Sequence, residues 1–243
     1  MLRKLTLYTL PLLVCQFTLA DQAFENILAD AEQGHADAQY RLGYRYFAGD
    51  GVAQDYNQAL KWYTVAAEQG HPRAQANLGY MYDVGEGVLQ DYSQALKWYT
   101  KAAEQGHPMA QNNLGIMYER GDGVAQDYRQ AIMLYAKSAE QNYALAQFNL
   151  ANMLFNGHGV NRDQESACKW MSLSAENGYR EAVNKRASMC ATEASISRCL
   201  VNYNYCTVNC DTEYDSQDSI NGHWHGFCLD ECAREKYRCT GEH

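Results

Sequence analysis

Small and apolar residues recur along the chain with two superimposed periods. Ala38, Leu42 and Tyr46 are spaced by four, so they fall on one stripe of a 3.6-residue helix. The same stripe returns 36 residues on as Ala74/Leu78/Tyr82, then as Ala110/Leu114/Tyr118 and Ala146/Leu150/Leu154, with Ala182 opening a fifth. Each is followed by a second stripe: Ala59/Trp62/Tyr63/Ala66, Ala95/Trp98/Tyr99/Ala102, Ala131/Leu134/Tyr135/Ser138 and Ala167/Trp170/Met171/Ser174. Between the stripes stands Gly-x-Gly-Val, at residues 49–52, 85–88, 121–124 and 157–160. Glycine there can take the left-handed conformation that ends a helix. Asp55, Asp91, Asp127 and Asp163 then sit where an N-cap would start the next one.

A fixed period of this length predicts an all-α chain, an α-solenoid of helix-turn-helix repeats. Four full repeats cover 34–177. Residues 22–33 read as the second helix of a truncated leading repeat and 179–190 as a closing first helix, giving a solenoid over 21–191. Small residues let neighbouring helices approach and the aromatics opposite fill the gaps. Composition agrees: Tyr, at 19 residues, outnumbers Phe and Trp together, and only three prolines occur, a mix that favours helices over sheets.

Residues 74–106 carry the pattern Ala-x3-Leu-Gly-x2-Tyr-x2-Gly-x-Gly-Val-x2-Asp-x3-Ala-x2-Trp-Tyr-x2-Ala-Ala-x2-Gly. In these residues the chain resembles the Sel-one-like (SLR) repeat family, a branch of the tetratricopeptide-like solenoids, over about two thirds of its length. Repeat 4 departs from the pattern with Ala151 for Gly, Leu154 for Tyr and Gln164 after its Asp. The resemblance implies a scaffold for protein partners. It also brings in an alternative, since some cysteine-rich members are linked to penicillin binding and β-lactam hydrolysis.

Residues 1–20 read as a secretory signal: Arg3 and Lys4, an apolar run from Leu5 to Val14, then Thr18 and Ala20 before a cut at Ala20–Asp21. The run is too short to span a bilayer, so stable membrane insertion is not expected. Leu12-Leu13-Val14-Cys15 faintly resembles a lipoprotein box, with Val14 where a small residue is wanted. Losing the leader removes two positive charges and takes the formal charge from −9 to −11. A product this acidic repels nucleic acid. The expected location is exported, periplasmic or secreted.

Nine cysteines fall to eight when Cys15 leaves with the leader, an even number in a chain addressed for export, so paired cystines are expected. From 192 the repeat fails and 192–243 reads as a cysteine-rich helical hairpin. Cys199, Cys206 and Cys210 mirror Cys228, Cys232 and Cys239, each outer-to-outer and inner-to-inner pair summing to 438. Facing residues of antiparallel helices keep a constant sum, which predicts Cys199–Cys239, Cys206–Cys232 and Cys210–Cys228. The hairpin reads either as a cap over the open solenoid end or as a binding head. The remaining pair, Cys168–Cys190, is placed together by the antiparallel turn at Gly178, with zinc as the rival reading.

Chemical motifs are few. Ser166-Ala-Cys-Lys169 matches Ser-x-x-Lys, yet both positions fall in the repeat pattern, and the companion Ser-Asp-Asn and Lys-Thr-Gly are missing. No catalytic residue, cofactor or metal is expected. His35, His71 and His107 read as turn residues, and His223-Trp224-His225 as a weak metal candidate. Recognition is expected where repeats differ on the first helix. That stripe comprises Asp37/Arg41/Tyr44, Arg73/Asn77/Tyr80, Met109/Asn113/Ile116 and Leu145/Asn149/Asn152. Tetratricopeptide analogy makes it the concave surface. The ladder Asn77, Asn113, Asn149 offers amides for an extended peptide backbone; alternatively it only follows the repeat.

Overall fold

The computed structural model describes residues 22–191. The leader with Cys15, the hairpin with its three nested bridges, and His223-Trp224-His225 lie outside the described residues. The described chain is helical throughout, with no strand. A helix over 22–32 (α1) precedes α2 (Ala36–Ala48), α3 (Tyr56–Glu68), α4 (Pro72–Val84), α5 (Tyr92–Glu104), α6 (Pro108–Arg120), α7 (Tyr128–Ala139), α8 (Ala144–Asn156), α9 (Gln164–Glu176) and α10 (Arg180–Cys190). Even-numbered helices are the first of each repeat (helix A) and odd-numbered ones the second (helix B).

The boundaries follow the punctuation in the sequence. Gly49, Gly85, Gly121 and Gly157 close their helices in the left-handed region. The Asp55 and Asp91 carboxylates each accept two backbone N–H groups of the following turn, as Asp127 does from Arg129 and Gln130, while Asp163 accepts one, from Ser166. His71 and His107 cap α4 and α6, Nδ1 accepting from Ala74 N and Ala110 N at 3.2 and 3.4 Å. Burial pulls both imidazoles below their ordinary pKa, which keeps Nδ1 free to accept.

The chain forms two compact bodies, one ending at Ser138 and one beginning at Ala139. In the N-terminal body successive helices pack in chain order from α2 to α6; in the C-terminal body α9 packs on both α8 and α10. Each repeat has a core of small residues around one large side chain from helix B. Tyr63, Tyr99 and Tyr135 are fully buried, as is Met171 at the same place in repeat 4. Burying a side chain of this size is worth about 1.5–3 kcal/mol.

What admits these rings is the residue on the facing helix. A Cβ on Gly43, Gly79 or Gly115 would come within 2.7, 2.6 and 2.8 Å of the rings of Tyr63, Tyr99 and Tyr135 respectively. In repeat 4 Ala151 takes the glycine's place, and there the partner is the thinner, more pliable Met171.

Candidate binding surface

The sequence-predicted stripe lies on helix A beside the buried leucines. Arg41, Tyr44 and Arg73 are exposed. Asn77, Tyr80, Met109, Asn113 and Ile116 are half-buried along the same body. In the C-terminal body Asn149 and Asn152 are half-buried on α8. Tyr44, 49% exposed, is the most open aromatic ring among the described residues. Below it Phe47 gathers Tyr56, Tyr63 and Tyr80 at centroid distances of 5.4, 6.3 and 6.2 Å. The face between repeats 1 and 2 is therefore aromatic, with Arg41 and Arg73 as its stripe cations.

The asparagine ladder is partly engaged inside the protein. Asn113 Nδ2 donates to Tyr99 Oη at 3.0 Å, and Asn113 Oδ1 accepts from Asn112. Tyr99 Oη in turn donates to Asp83 Oδ2 at 3.4 Å. Burial pushes the Tyr63 phenol up, and the Asn77 amide partly offsets that push, yet the Tyr63 hydroxyl is buried without a formed hydrogen bond. Asn113 thus braces a core tyrosine, which leaves Arg41, Tyr44 and Arg73 as the stripe residues freest to meet a partner.

A second buried ladder was missed in the sequence. Gln39, Gln75, Gln111 and Gln147 are buried, and their Nε2 atoms donate to the carbonyls of Ala31, Ala67, Ala103 and Ala139 at 3.0–3.3 Å. Gln39, Gln75 and Gln147 also accept at Oε1 from Gln69, Gln105 and Asn177. Repetition at a fixed offset was the signal: these glutamines satisfy helix-end carbonyls at each turn between repeats.

The repeat, its left-handed glycines, aspartate caps and nested tyrosines form one constellation, and the Sel1 repeat model matches it at residues 36–71, 72–107, 108–143 and 144–179. The chain belongs to the Sel1 repeat family. The matched Sel1 repeats share the 36-residue period and begin two residues later, at the first residue of helix A. Two solved structures resemble the chain. The Sel1 repeat protein from Oxalobacter formigenes is 30% identical, with a TM-score of 0.65, over 86% of this chain and 75% of that one. A protective antigen of uropathogenic Escherichia coli, c5321, which displays an SLR fold, is 33% identical with a TM-score of 0.65 over 90% of this chain. This chain spans 56% of that antigen's length. A search of curated proteins found no match. Sel1 repeats mediate protein–protein interaction, and their proteins are generally scaffolds.

Around the Ser-x-x-Lys pair of the fourth Sel1 repeat the geometry is that of a helix start. The Ser166 N–H is bound by the Asp163 cap. Lys169 Nζ lies 2.7 Å from Glu165 Oε1 on the exposed face, and that hydrogen bond and charge raise the lysine's pKa. A lysine acting as a base needs the opposite shift. The structure gives the hydrolase reading no support. Among the described residues no three His, Cys, Asp or Glu side chains are placed to hold a metal, and no helix is long and apolar enough to cross a membrane. Cys168 and Cys190 are joined as a disulfide, with Cα atoms 4.9 Å apart, in place of the zinc alternative.

Proposed function

We propose that this Sel1 repeat protein is an exported scaffold that captures a protein or peptide partner along the helix-A stripe. The observation that carries the reading is the contrast between faces. Buried positions such as Leu42/Leu78/Leu114/Leu150 repeat from unit to unit, whereas the equivalent stripe positions Asp37/Arg73/Met109/Leu145 and Tyr44/Tyr80/Ile116/Asn152 vary while staying exposed or half-buried. Export is supported by the leader-like residues 1–20 and by the Cys168–Cys190 bridge, since disulfides persist in oxidising compartments.

The test uses the oxidised full chain as bait in an envelope extract, with bound proteins identified by mass. Arg41→Glu with Tyr44→Ala should lose a specific partner that Lys97→Glu, on helix B, retains. Asn113 is left untouched because its amide braces Tyr99. Equal capture by both variants would remove the stripe as the binding surface. N-terminal sequencing of the mature protein should begin at Asp21; Met1 retained would refute export by this leader.

A further inference from the structure

The C-terminal body carries a cavity of about 200 Å³ between α8 and α10, lined by Asn152, Phe155, Asn156, Lys185, Ser188 and Met189. It is smaller than the roughly 300–1,000 Å³ of pockets for drug-sized ligands, so it suits one side chain rather than a free metabolite. Resting on the scaffold reading above, we propose that this cavity is a specificity pocket that seats the carboxylate of an acidic side chain of the partner.

The lining has the chemistry for it. Lys185 supplies the cation, and no acidic side chain is among the lining residues. Asn152 and Asn156 are four residues apart on α8, so both amides present N–H donors to the same side. The Ser188 hydroxyl donates to the Lys185 carbonyl at 3.0 Å, so it holds the α10 turn rather than the ligand. Phe155 and Met189 form its apolar walls. The Arg162 guanidinium lies 4.7 Å from the Phe155 ring centroid. Lys185 itself is held over Phe148, at 5.2 Å.

The far wall is fastened. Gln164 Nε2 donates to the carbonyls of Met189 and Ala191, at 3.2 and 2.8 Å, and the next residue after Met189, Cys190, is bridged to Cys168 on α9. A pocket ordered in advance loses less on binding. Gln164 is one of the departures of repeat 4, so this fastening is peculiar to the last repeat. In a chain whose formal charge is −9, a cationic, acid-free cavity selects for an anion against the molecule's overall field. The stripe of the N-terminal body bears the same sign at Arg41 and Arg73.

The test is a titration of the isotopically labelled, oxidised full chain with N-acetyl-glutamate methylamide and with its glutamine counterpart, at constant ionic strength, followed by NMR. The glutamate compound should give saturable shifts of the Asn152 and Asn156 side-chain amides at about tenfold lower concentration than the glutamine compound, because charge-assisted hydrogen bonds are the stronger. Lys185→Gln should erase that preference, and Cys168→Ser with Cys190→Ser should weaken binding several-fold without abolishing the fold. Equal response to the two compounds, a preference unchanged in Lys185→Gln, or no saturable response at these amides would each overturn the pocket. Stripe-dependent partner capture with a silent pocket sinks this inference alone. Loss of stripe dependence with an intact titration sinks the scaffold surface instead.

Discussion

Tyr135 Oη donates to Glu119 Oε2 at 2.5 Å, from helix B back to helix A sixteen residues earlier. Tyr99 and Asp83 repeat the relation at 3.4 Å. In repeat 1 the acid's place is held by Phe47, and the Tyr63 hydroxyl goes unpaired. In repeat 4 both positions change, to Phe155 and Met171. A buried hydroxyl that loses its acceptor costs about 1–3 kcal/mol. Losing phenol and acid together, as repeat 4 does, avoids that cost.

These phenols set the alkaline limit. Burial, the largest cause, pushes Tyr63, Tyr99 and Tyr135 above the ordinary 10.0, and the bond to Glu119 and its charge push Tyr135 further. Each holds its proton to a higher pH when folded than when unfolded. Their contribution to stability is therefore full below pH 10 and lost as pH rises past it. One unit above that value each buried tyrosine should cost up to about 1.4 kcal/mol. Urea midpoints measured from pH 8 to 11 should fall steeply above 10. Tyr135→Phe should flatten the fall; an identical slope would show that Tyr135 is not protected.

Gly79→Ala should destabilise the chain by about 1–3 kcal/mol, the usual cost of overpacking a core, because its Cβ would meet Tyr99 Cδ1 at 2.6 Å. Adding Tyr99→Met, which copies the Ala151–Met171 pair of repeat 4, should recover part of the loss. Chemical denaturation of the two single variants and the double one gives the coupling directly. Additive losses would mean that glycine and ring do not compete for the same space.

The bridge Cys168–Cys190 spans 22 residues, and closing such a loop is worth about 3 kcal/mol in the chain-entropy model. Non-reducing peptide mapping of the mature protein should find it, together with Cys199–Cys239, Cys206–Cys232 and Cys210–Cys228. A Cys206–Cys228 or Cys199–Cys210 link would break the hairpin register. Serine at both 168 and 190 should lower the unfolding midpoint of the C-terminal body, with little effect on helicity at room temperature.

Much of this molecule was legible before any fold was known. Asp55, Asp91, Asp127 and Asp163 were read as caps, and the Gly-x-Gly turns as stops, because both act through backbone atoms within four residues of themselves. Cys168 and Cys190 were paired because a single antiparallel turn at Gly178 relates them. The candidate stripe came from variation between repeats on the first helix; Asp37, Arg41, Tyr44 and Arg73 in it are exposed and the remaining candidates are half-buried. The internal duty of its amides was not foreseen: Asn113 looked like a free rung and is bonded to Tyr99. Gln39, Gln75, Gln111 and Gln147 recur every 36 residues, but only the packing of each helix A on the helix before it shows that their amides meet carbonyls eight residues back.

The period, the helix ends and the family could all be read along the chain, because they depend on short-range backbone geometry repeated every 36 residues. Tertiary structure alone decided which face meets which. Gly79 and Tyr99 stand twenty residues apart, and Glu119 and Tyr135 sixteen, and only the packing of helix A on helix B makes them partners. The same holds for the cavity at Lys185. Its lining comes from α8 and α10, two helices with another between them in the chain, and no period along a single helix relates a lysine on one to the amides of the other.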